Sequence, residues 1–248
     1  MQLVALIPAR FSSTRFPGKA LATLLGKPLI QWVYEQAAKV PDLDDLWVVT
    51  DDERIKECVE NFGGRAMLTR GDHPSGSDRL AEAAAKLGLA PEDLVFNIQG
   101  DQPVFPPELI GQLAAPLRRD PQAVMVTPAR RLSDPETAQN PNVVKVVFDR
   151  QHRALYFSRS PLPFWRDGNK PYFYKHIGIY AYRADFLQKF ITLPPGRWEE
   201  AEKLEQLRAL EHGFPIQIVE TQGDTLEVDT PEDLRRVEIF LGGGGQGS

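Results

Sequence analysis

The chain opens with LVALIPARFSSTRFPGK at positions 3–19, in which five apolar residues run into a long polar loop. A short apolar run that ends at Pro8 predicts a buried strand over 3–7. Apolar runs of the same kind recur at 46–50, 66–68 and 94–98. Residues with helical spacing separate these runs, at about 29–37, 55–62 and 78–87. Strands that alternate with helices predict an α/β fold, a mostly parallel sheet flanked by helices.

The pattern changes after residue 127. Apolar runs at 143–148 and 154–157 enclose the polar stretch 149–153, which predicts a β-hairpin. Because the region from about 130 to 175 is rich in proline and aromatic residues, we expect a small inserted antiparallel lobe there. The parallel fold is then expected to resume with a strand at 177–182, a helix near 199–212, a strand at 216–219 and a last helix after Pro231. We expect one domain over 1–240 and a flexible tail over 241–248.

Composition narrows the class of protein. With 42% hydrophobic and 25% charged residues, the 248-residue chain can bury the core of one globular domain. Its net charge of −5 argues against nucleic-acid binding. Cys58 is the only cysteine, so a reducing compartment is expected. The first apolar run is too short for a signal peptide, and no run approaches the roughly 20 residues of a membrane helix. We therefore expect a cytoplasmic protein without membrane insertion.

The loop after the first strand carries Arg10, Arg15 and Lys19. In open α/β sheets, ligands bind at the carboxyl ends of the strands, so this loop lies at the expected site. It matches neither a Walker A loop nor a GxGxxG loop. Three cations with free backbone N–H groups can surround a triphosphate. The alternative is a solvated surface loop, which composition alone leaves open.

Two aspartates are candidate magnesium ligands. Asp101 follows the run at 94–98 and the permissive Gly100. Asp229 precedes Thr230-Pro231-Glu232-Asp233, in which Thr230 and Asp233 can cap the next helix without it. A nucleotide-bound magnesium usually takes one or two protein carboxylates. For either residue, the alternative is an ordinary turn or cap aspartate.

Further residues are candidates for binding an acceptor. Strand alternation puts His176, Gly178 and Tyr180 on one face, with room for a hydroxylated ligand beside the glycine. Glu205 and Gln206 flank the buried leucines of the helix predicted near 199–212, and Arg159 could clamp a carboxylate. The alternatives are a half-exposed strand with a satisfied histidine, solvated helix residues and a surface arginine.

Taken together, these segments resemble the 3-deoxy-D-manno-octulosonate (Kdo) cytidylyltransferase family, the CMP-Kdo synthetases. The stretches that carry the resemblance run in family order up to about residue 240. They are IPAR and PGK at 7–10 and 17–19, SGSDR at 75–79, NIQGDQP at 97–103, YFSR at 156–159, KHIGIY at 175–180, LEQLR at 204–208 and VDTPEDL at 228–234.

The resemblance implies a nucleotide-diphospho-sugar transferase-like fold and a homodimer built partly through the inserted lobe. It implies transfer of CMP from CTP to the anomeric hydroxyl of Kdo with magnesium as cofactor, for lipopolysaccharide biosynthesis. By motif position, the residues expected to hold the nucleotide are Pro8, Ala9, Arg10, Lys19, Ser75, Gly76, Arg79 and Gln99. Asp101 and Asp229 would bind magnesium, and with Arg10 and Lys19 they form the expected catalytic set. The Kdo pocket would be lined by Arg159, His176, Tyr180, Glu205 and Gln206.

The chain departs from the family at a few positions: Ser77 replaces a more frequent Thr, Gln102 a frequent Glu, Phe11 a usual Tyr and Phe16 a usual Leu. None removes a charge assigned to catalysis, although Gln102 drops a carboxylate near the expected metal. Two rival functions stay open at this point. One is the same chemistry on 8-amino-Kdo or another sugar acid, and the other is a non-catalytic nucleotide-binding regulator.

Overall fold

The computed structural model describes residues 1–12, 16–166 and 172–243. Arg15 of the first loop and residues 244–248 of the predicted tail lie outside the described residues. The strands are β1 (Leu3–Ala9), β2 (Thr23–Leu24), β3 (Lys27–Pro28), β4 (Asp45–Thr50), β5 (Ala66–Leu68), β6 (Leu94–Asn97), β7 (Met125–Leu132), β8 (Lys145–Phe148), β9 (Ala154–Ser158), β10 (Phe173–His176), β11 (Tyr180–Arg183) and β12 (Ile216–Thr221). The helices are α1 (Leu29–Ala37), α2 (Glu53–Asn61), α3 (Gly76–Lys86), α4 (Glu108–Arg119), α5 (Pro135–Gln139), α6 (Ala184–Phe190), α7 (Arg197–Glu202), α8 (Leu207–Glu211) and α9 (Pro231–Gly242).

One mixed sheet organises the molecule, in the order β5-β4-β1-β6-β11-β7-β10-β8-β9, with β12 paired to β7. The first four strands in this order are β5, β4, β1 and β6. They are mutually parallel, as the alternating pattern predicts. β11 is antiparallel to both β6 and β7, whereas β12 is parallel to β7. The small sheet formed by β2 and β3 is separate. The predicted α/β fold with flanking helices is confirmed.

The sheet is covered on both faces, as the strand period of two requires. Along β1, Ala5 and Ile7 enter an apolar layer shared with α1, α2 and α4. Val4 and Leu6 point the other way, into a layer shared with α3 and α6. Because both faces of β1 are buried, its carboxyl end is held rigidly, and the first loop leaves from a fixed position. None of the helices within the described ranges is long and apolar enough to cross a membrane.

The strand predicted at 177–182 differs from the expectation. It begins at Tyr180, runs to Arg183 and is antiparallel to its neighbours, so the prediction of a resumed parallel strand was wrong here. β10 and β11 both pair with β7 and are separated at 177–179, where the Thr127 hydroxyl contacts the carbonyls of Ile177 and Ile179. The predicted faces are nevertheless kept, since Ile177 and Ile179 enter one apolar layer while Tyr180 packs against the other.

The helix predicted near 199–212 is two helices, α7 and α8. Lys203 ends α7 in the left-handed region, at φ 54°. The Arg159 guanidinium donates to the carbonyls of Glu202 and Lys203, at 2.7 and 3.4 Å. A continuous helix would use those carbonyls itself. Glu205 and Gln206 therefore lie in the break before α8, not on a solvated helical face.

The predicted hairpin is present as β8 and β9, which pair antiparallel. The region predicted as an inserted lobe joins the main sheet through β10, which pairs with both β7 and β8. β9 is the last strand in the sheet order. The part of this region in dimerisation stays a prediction.

Candidate functional site

A cavity of about 360 Å³ opens where the parallel strands β1, β4 and β6 end. The carboxyl ends of parallel strands share one edge of the sheet, so the loops that follow them converge there. Every residue expected to hold the nucleotide or the metal lines this cavity: Pro8, Ala9, Arg10, Lys19, Ser75, Gly76, Arg79, Gln99, Asp101 and Asp229. Residues far apart in sequence are thus gathered in one place, while their binding roles stay predictions.

Lys19 stands at the centre of the charged part of the cavity. Its Nζ lies 2.6 Å from Asp101 Oδ2 and 3.3 Å from Asp229 Oδ1. Gly18 precedes it in the left-handed region, at φ 70°, which glycine adopts without strain. The Gly18 N–H donates to the Phe11 carbonyl, which closes the loop and aims Lys19 inward.

Asp229 reaches Asp101 because two chain segments run side by side. The Val228 N–H donates to the Asp101 carbonyl at 2.9 Å, and the Leu226 N–H donates to the Val104 carbonyl at 3.1 Å. The capping box predicted at the start of α9 is present, with Thr230 and Asp233 bonded reciprocally. As expected, the cap does not require the Asp229 carboxylate, which points toward Lys19 instead.

The acid pair fits a divalent cation. Two carboxylates already converge on one cationic group, the Lys19 ammonium. Within the described residues, no group of three or more His, Cys, Asp or Glu is arranged to hold a metal. A magnesium ion here would therefore take its other ligands from phosphate oxygens and water, as magnesium usually does at nucleotide sites.

The amino end of α3 forms another wall. Ser75 and Asp78 form a capping box, so the Ser75 hydroxyl is engaged within the protein. Gly76 presents its backbone to the cavity, and a Cβ there would lie 3.8 Å from Pro8. Backbone N–H groups at a helix start favour anions such as phosphate.

Arg79 is held by residues that sequence reasoning missed. Its guanidinium donates to the Thr69 hydroxyl and lies 3.3 Å from Asp51 Oδ1. Arg79 is buried, and Asp51 also lines the cavity. Asp51 directly follows β4, as Asp101 follows β6, so the rule that singled out Asp101 could have found it. Thr69 gives no such signal, because an isolated threonine after a strand is common.

His73 is a second missed residue of the cavity wall. Its Nε2 contacts Glu82 on α3, and Glu82 also pairs with Lys86 at 2.6 Å. Burial opposes ionisation of Glu82, but bonds from Lys86, the Arg70 N–H and His73 outweigh it and lower the pKa of Glu82 to about 2.

We call the cavity at the end of β1 the nucleotide cavity, after its predicted ligand. The predicted acceptor residues are not among those that line it. Four of them form a second group, which we call the acceptor cluster: His176, Tyr180, Glu205 and Gln206. Glu205 Oε2 accepts a hydrogen bond from the Ser77 hydroxyl at 2.7 Å. Glu205 Oε1 and Gln206 Nε2 are buried without a hydrogen-bond partner. The Arg208 guanidinium lies 3.7 Å from Glu205 Oε1, which is too far for a hydrogen bond.

The acceptor cluster favours neutral forms of its groups. Burial lowers the pKa of His176 to about 3, with a smaller contribution from the charge of Lys175. His176 Nε2 lies 3.0 Å from the Thr127 hydroxyl, and its ring contacts those of Phe157 and Tyr180. Burial also raises the pKa of the Glu205 carboxyl, against the effect of the Ser77 hydroxyl.

Arg159, the fifth predicted acceptor residue, is held by backbone carbonyls. Its guanidinium donates to the carbonyls of Pro141, Glu202 and Lys203. Its backbone N–H donates to the Glu202 carboxylate at 2.8 Å. These bonds tie the hairpin to α7, and the predicted carboxylate clamp stays untested.

Polar side chains connect the nucleotide cavity with the acceptor cluster. Gln99 Nε2 donates to Asn97 Oδ1 at 3.0 Å, and the Tyr182 hydroxyl lies near Asn97 and Ser77. Ser77 donates to Glu205. A run of polar side chains therefore passes from the cavity wall to Glu205.

The family model for cytidylyltransferases matches residues 4–221, most of the chain. The chain belongs to the cytidylyltransferase family. The resemblance to CMP-Kdo synthetases predicted from the motifs is confirmed by full-length relatives. The chain is 55% identical to the 3-deoxy-manno-octulosonate cytidylyltransferase of Syntrophobacter fumaroxidans (strain DSM 10017 / MPOB), with 97% of each chain covered.

Other family members extend the comparison. The chain is 51% identical to the 8-amino-3,8-dideoxy-manno-octulosonate cytidylyltransferase of Shewanella halifaxensis (strain HAW-EB4), covering 97% of this chain and 99% of that one. A solved structure of CMP:2-keto-3-deoxy-manno-octonic acid synthetase complexed with CTP is 42% identical, with a TM-score of 0.93. The match covers 98% of this chain and 99% of that chain.

Proposed function

We propose that the chain transfers CMP from CTP to the anomeric hydroxyl of Kdo, giving CMP-Kdo and pyrophosphate. One observation carries the proposal: Lys19, Asp101 and Asp229 converge in the cavity at the end of β1, beside the basic loop. The full-length relatives named for this activity and the neighbour complexed with CTP support it.

In the proposed reaction, the anomeric oxygen attacks the α-phosphorus in line and the bond to the leaving pyrophosphate breaks. Lys19 and Arg10 would hold the phosphates and balance the charge that builds on the leaving group. Arg79 and the start of α3 would fix the rest of the nucleotide. The contribution of these residues is positioning and electrostatics rather than a covalent intermediate.

Asp101 and Asp229 would hold magnesium as the cofactor, because they already share one cation in the structure. When bound, magnesium polarises the phosphate and lowers the pKa of the attacking hydroxyl. The acceptor cluster would bind the sugar acid through hydrogen-bond donors and acceptors. Its unpartnered atoms on Glu205 and Gln206 suit a polyol, since hydroxyl groups both donate and accept.

The proposal includes a homodimer in the cytoplasm. Leu155 on β9 and Trp198 on α7 are exposed large apolar side chains, and the Trp198 ring contacts Tyr156. An apolar surface at the last strand of a sheet suits a subunit contact. Light scattering should give the mass of two chains, and Leu155→Lys should shift it toward one; a monomeric wild type would overturn this part.

The first experiment measures pyrophosphate release by the purified chain with CTP, magnesium and one acceptor at a time. Kdo, 8-amino-Kdo and N-acetylneuraminate form the acceptor panel, and UTP replaces CTP as a nucleotide control. We expect the highest kcat/KM with CTP and Kdo. Zero release with every acceptor would support a non-catalytic nucleotide-binding protein and sink the proposal.

A further inference from the structure

Gln102 and Glu227 form an amide–carboxylate pair beside Asp101 and Asp229. Gln102 Nε2 donates to Glu227 Oε1 at 2.7 Å. Gln102 is only 1% exposed, and its Oε1 has no hydrogen-bond partner. Glu227 is an exposed residue, and the Gln102 bond uses only one of its two carboxylate oxygens. The pair thus joins a buried amide to the carboxylate of an exposed residue.

Glu227 and Gln102 lie beside the two predicted metal ligands. Gln102 directly follows Asp101, and Glu227 lies two residues before Asp229. The two segments run side by side, since the Val228 N–H donates to the Asp101 carbonyl at 2.9 Å. The Gln102 hydrogen bond fixes the Glu227 carboxylate in this place.

The pair borders the acceptor cluster. A Cβ at Gly178, between His176 and Tyr180 in the chain, would lie 3.7 Å from Gln102 Nε2. Tyr180 is influenced by the charges of both Glu205 and Glu227, so it lies near both carboxylates. Glu227 therefore lies near the face proposed for the acceptor as well as near Asp229, which follows it two residues later.

We propose that Glu227 binds hydroxyl groups of the sugar-acid acceptor and that Gln102 is the positioning residue that orients it. The inference rests on the proposed function and extends its acceptor site by a carboxylate. A carboxylate oxygen accepts hydrogen bonds from hydroxyls of a polyol, whereas the Gln102 bond occupies its other oxygen. An acceptor that lacks the matching hydroxyl loses this hydrogen bond, so Glu227 contributes to the choice between acceptors.

The test compares Glu227→Gln with the exchanged pair Gln102→Glu/Glu227→Gln. In the single variant, Gln102 still donates to the new amide oxygen, so an NH₂ group replaces the outward acceptor oxygen. In the exchanged pair, the new amide donates to the carboxylate at position 102, and an oxygen faces outward again. Glu238→Gln on α9 makes the same charge change at an exposed position and is the matched control.

For Glu227→Gln, we expect the KM for Kdo to rise about tenfold, the worth of one hydrogen bond, with the KM for CTP and kcat within about twofold. The exchanged pair should recover most of the wild-type KM for Kdo, and Glu238→Gln should not change it. Thermal unfolding of each variant separates binding from folding, since a merely structural pair would lower Tm without a selective change in one KM.

Three outcomes would overturn the inference. They are an unchanged KM for Kdo in Glu227→Gln, a shift only in the magnesium concentration for half-activity, or equal rises in both KM values that the exchanged pair does not reverse. Failure of the proposed function is distinguishable, because it appears in the wild type as an absence of pyrophosphate release before any variant is made.

Discussion

Lys19 and Asp101 form an ion pair with 2.6 Å between Nζ and Oδ2, and the same ammonium lies 3.3 Å from Asp229. The residue expected to hold phosphates therefore lies between the two residues expected to hold the metal. All three sit where the β1 loop, the β6 loop and the segment before α9 meet. Because the two carboxylates repel one another, their approach requires a cation between them.

Asp101→Asn should lower kcat by about 100-fold or more, since it removes a charge that acts on the reacting phosphate. The side chain keeps its shape and the Val228 N–H bond uses the backbone carbonyl, so we expect Tm to change by only a few degrees. Pyrophosphate release and circular dichroism measure the two effects. A folded variant with near-wild-type turnover would contradict the metal role.

Gly100→Ala tests how closely the β1 and β6 loops approach. A Cβ at Gly100 would lie 2.8 Å from the Pro8 carbonyl oxygen, a backbone atom of β1 that cannot move alone. We expect kcat/KM to fall at least about tenfold, because the loop with Asp101 must shift. Gly111→Ala on α4 has open space around its Cβ and should instead be neutral or slightly stabilising. Equal kinetics for both variants would refute the close-approach argument.

Ser77→Ala should separate the acceptor site from the nucleotide site. Loss of the hydroxyl removes the bond to Glu205, so we expect the KM for Kdo to rise about tenfold while the KM for CTP stays within about twofold. Ser77→Thr keeps the hydroxyl and should behave like the wild type. If the threonine variant is as impaired as the alanine variant, packing rather than the hydrogen bond is responsible.

His176 makes folding stability depend on pH. Burial lowers the pKa of His176 in the folded chain to about 3, from an ordinary value near 6.5 in the unfolded chain. The unfolded chain then binds more protons, so this stability is present above pH 6.5 and is lost as pH falls toward 3. The slope attributable to one group is at most about 1.4 kcal/mol per pH unit.

Urea unfolding of the wild type and His176→Gln between pH 4.5 and 8 checks this. The free energy of unfolding of the wild type should fall more steeply below pH 6.5 than that of the variant. Carboxylates contribute to both curves, and the difference between the curves isolates His176. Parallel curves would show that the histidine titrates normally in the folded chain.

The local sequence pattern predicted the strands that precede the site. It failed where a hydrogen bond from a distant residue changes the local structure. The apolar runs at β1, β4 and β6 are continuous, so their ends and the loops after them could be predicted. Leu204, Leu207 and Leu210 recur at helical spacing, which predicts one helix near 199–212, yet Arg159 takes the carbonyls of Glu202 and Lys203 and separates α7 from α8. A hydrogen bond from a residue more than forty positions away leaves no mark on helical periodicity.

The residues of the candidate site also fall into those that the sequence pattern predicted and those that it missed. Arg10, Lys19 and Asp101 could be singled out because each follows a predicted strand. Thr69 was not predicted, because only its contact with Arg79 makes it part of the site. Glu227 was not predicted, because it belongs to the site only through the segment that runs beside Asp101 to Val104. Contacts of this kind depend on which segments become neighbours in space.

The sequence by itself determined the alternation of strands and helices, the charged loop at the end of the first strand and the family of the chain. Periodicity and motif order are properties of neighbouring residues, so they can be read along the chain. Only the tertiary structure decided that Asp229 meets Asp101 across Lys19, that Ser77 holds Glu205 and that Gln102 orients Glu227. These relationships arise when burial of both sheet faces brings the strand ends together, and no local pattern contains the distance between them.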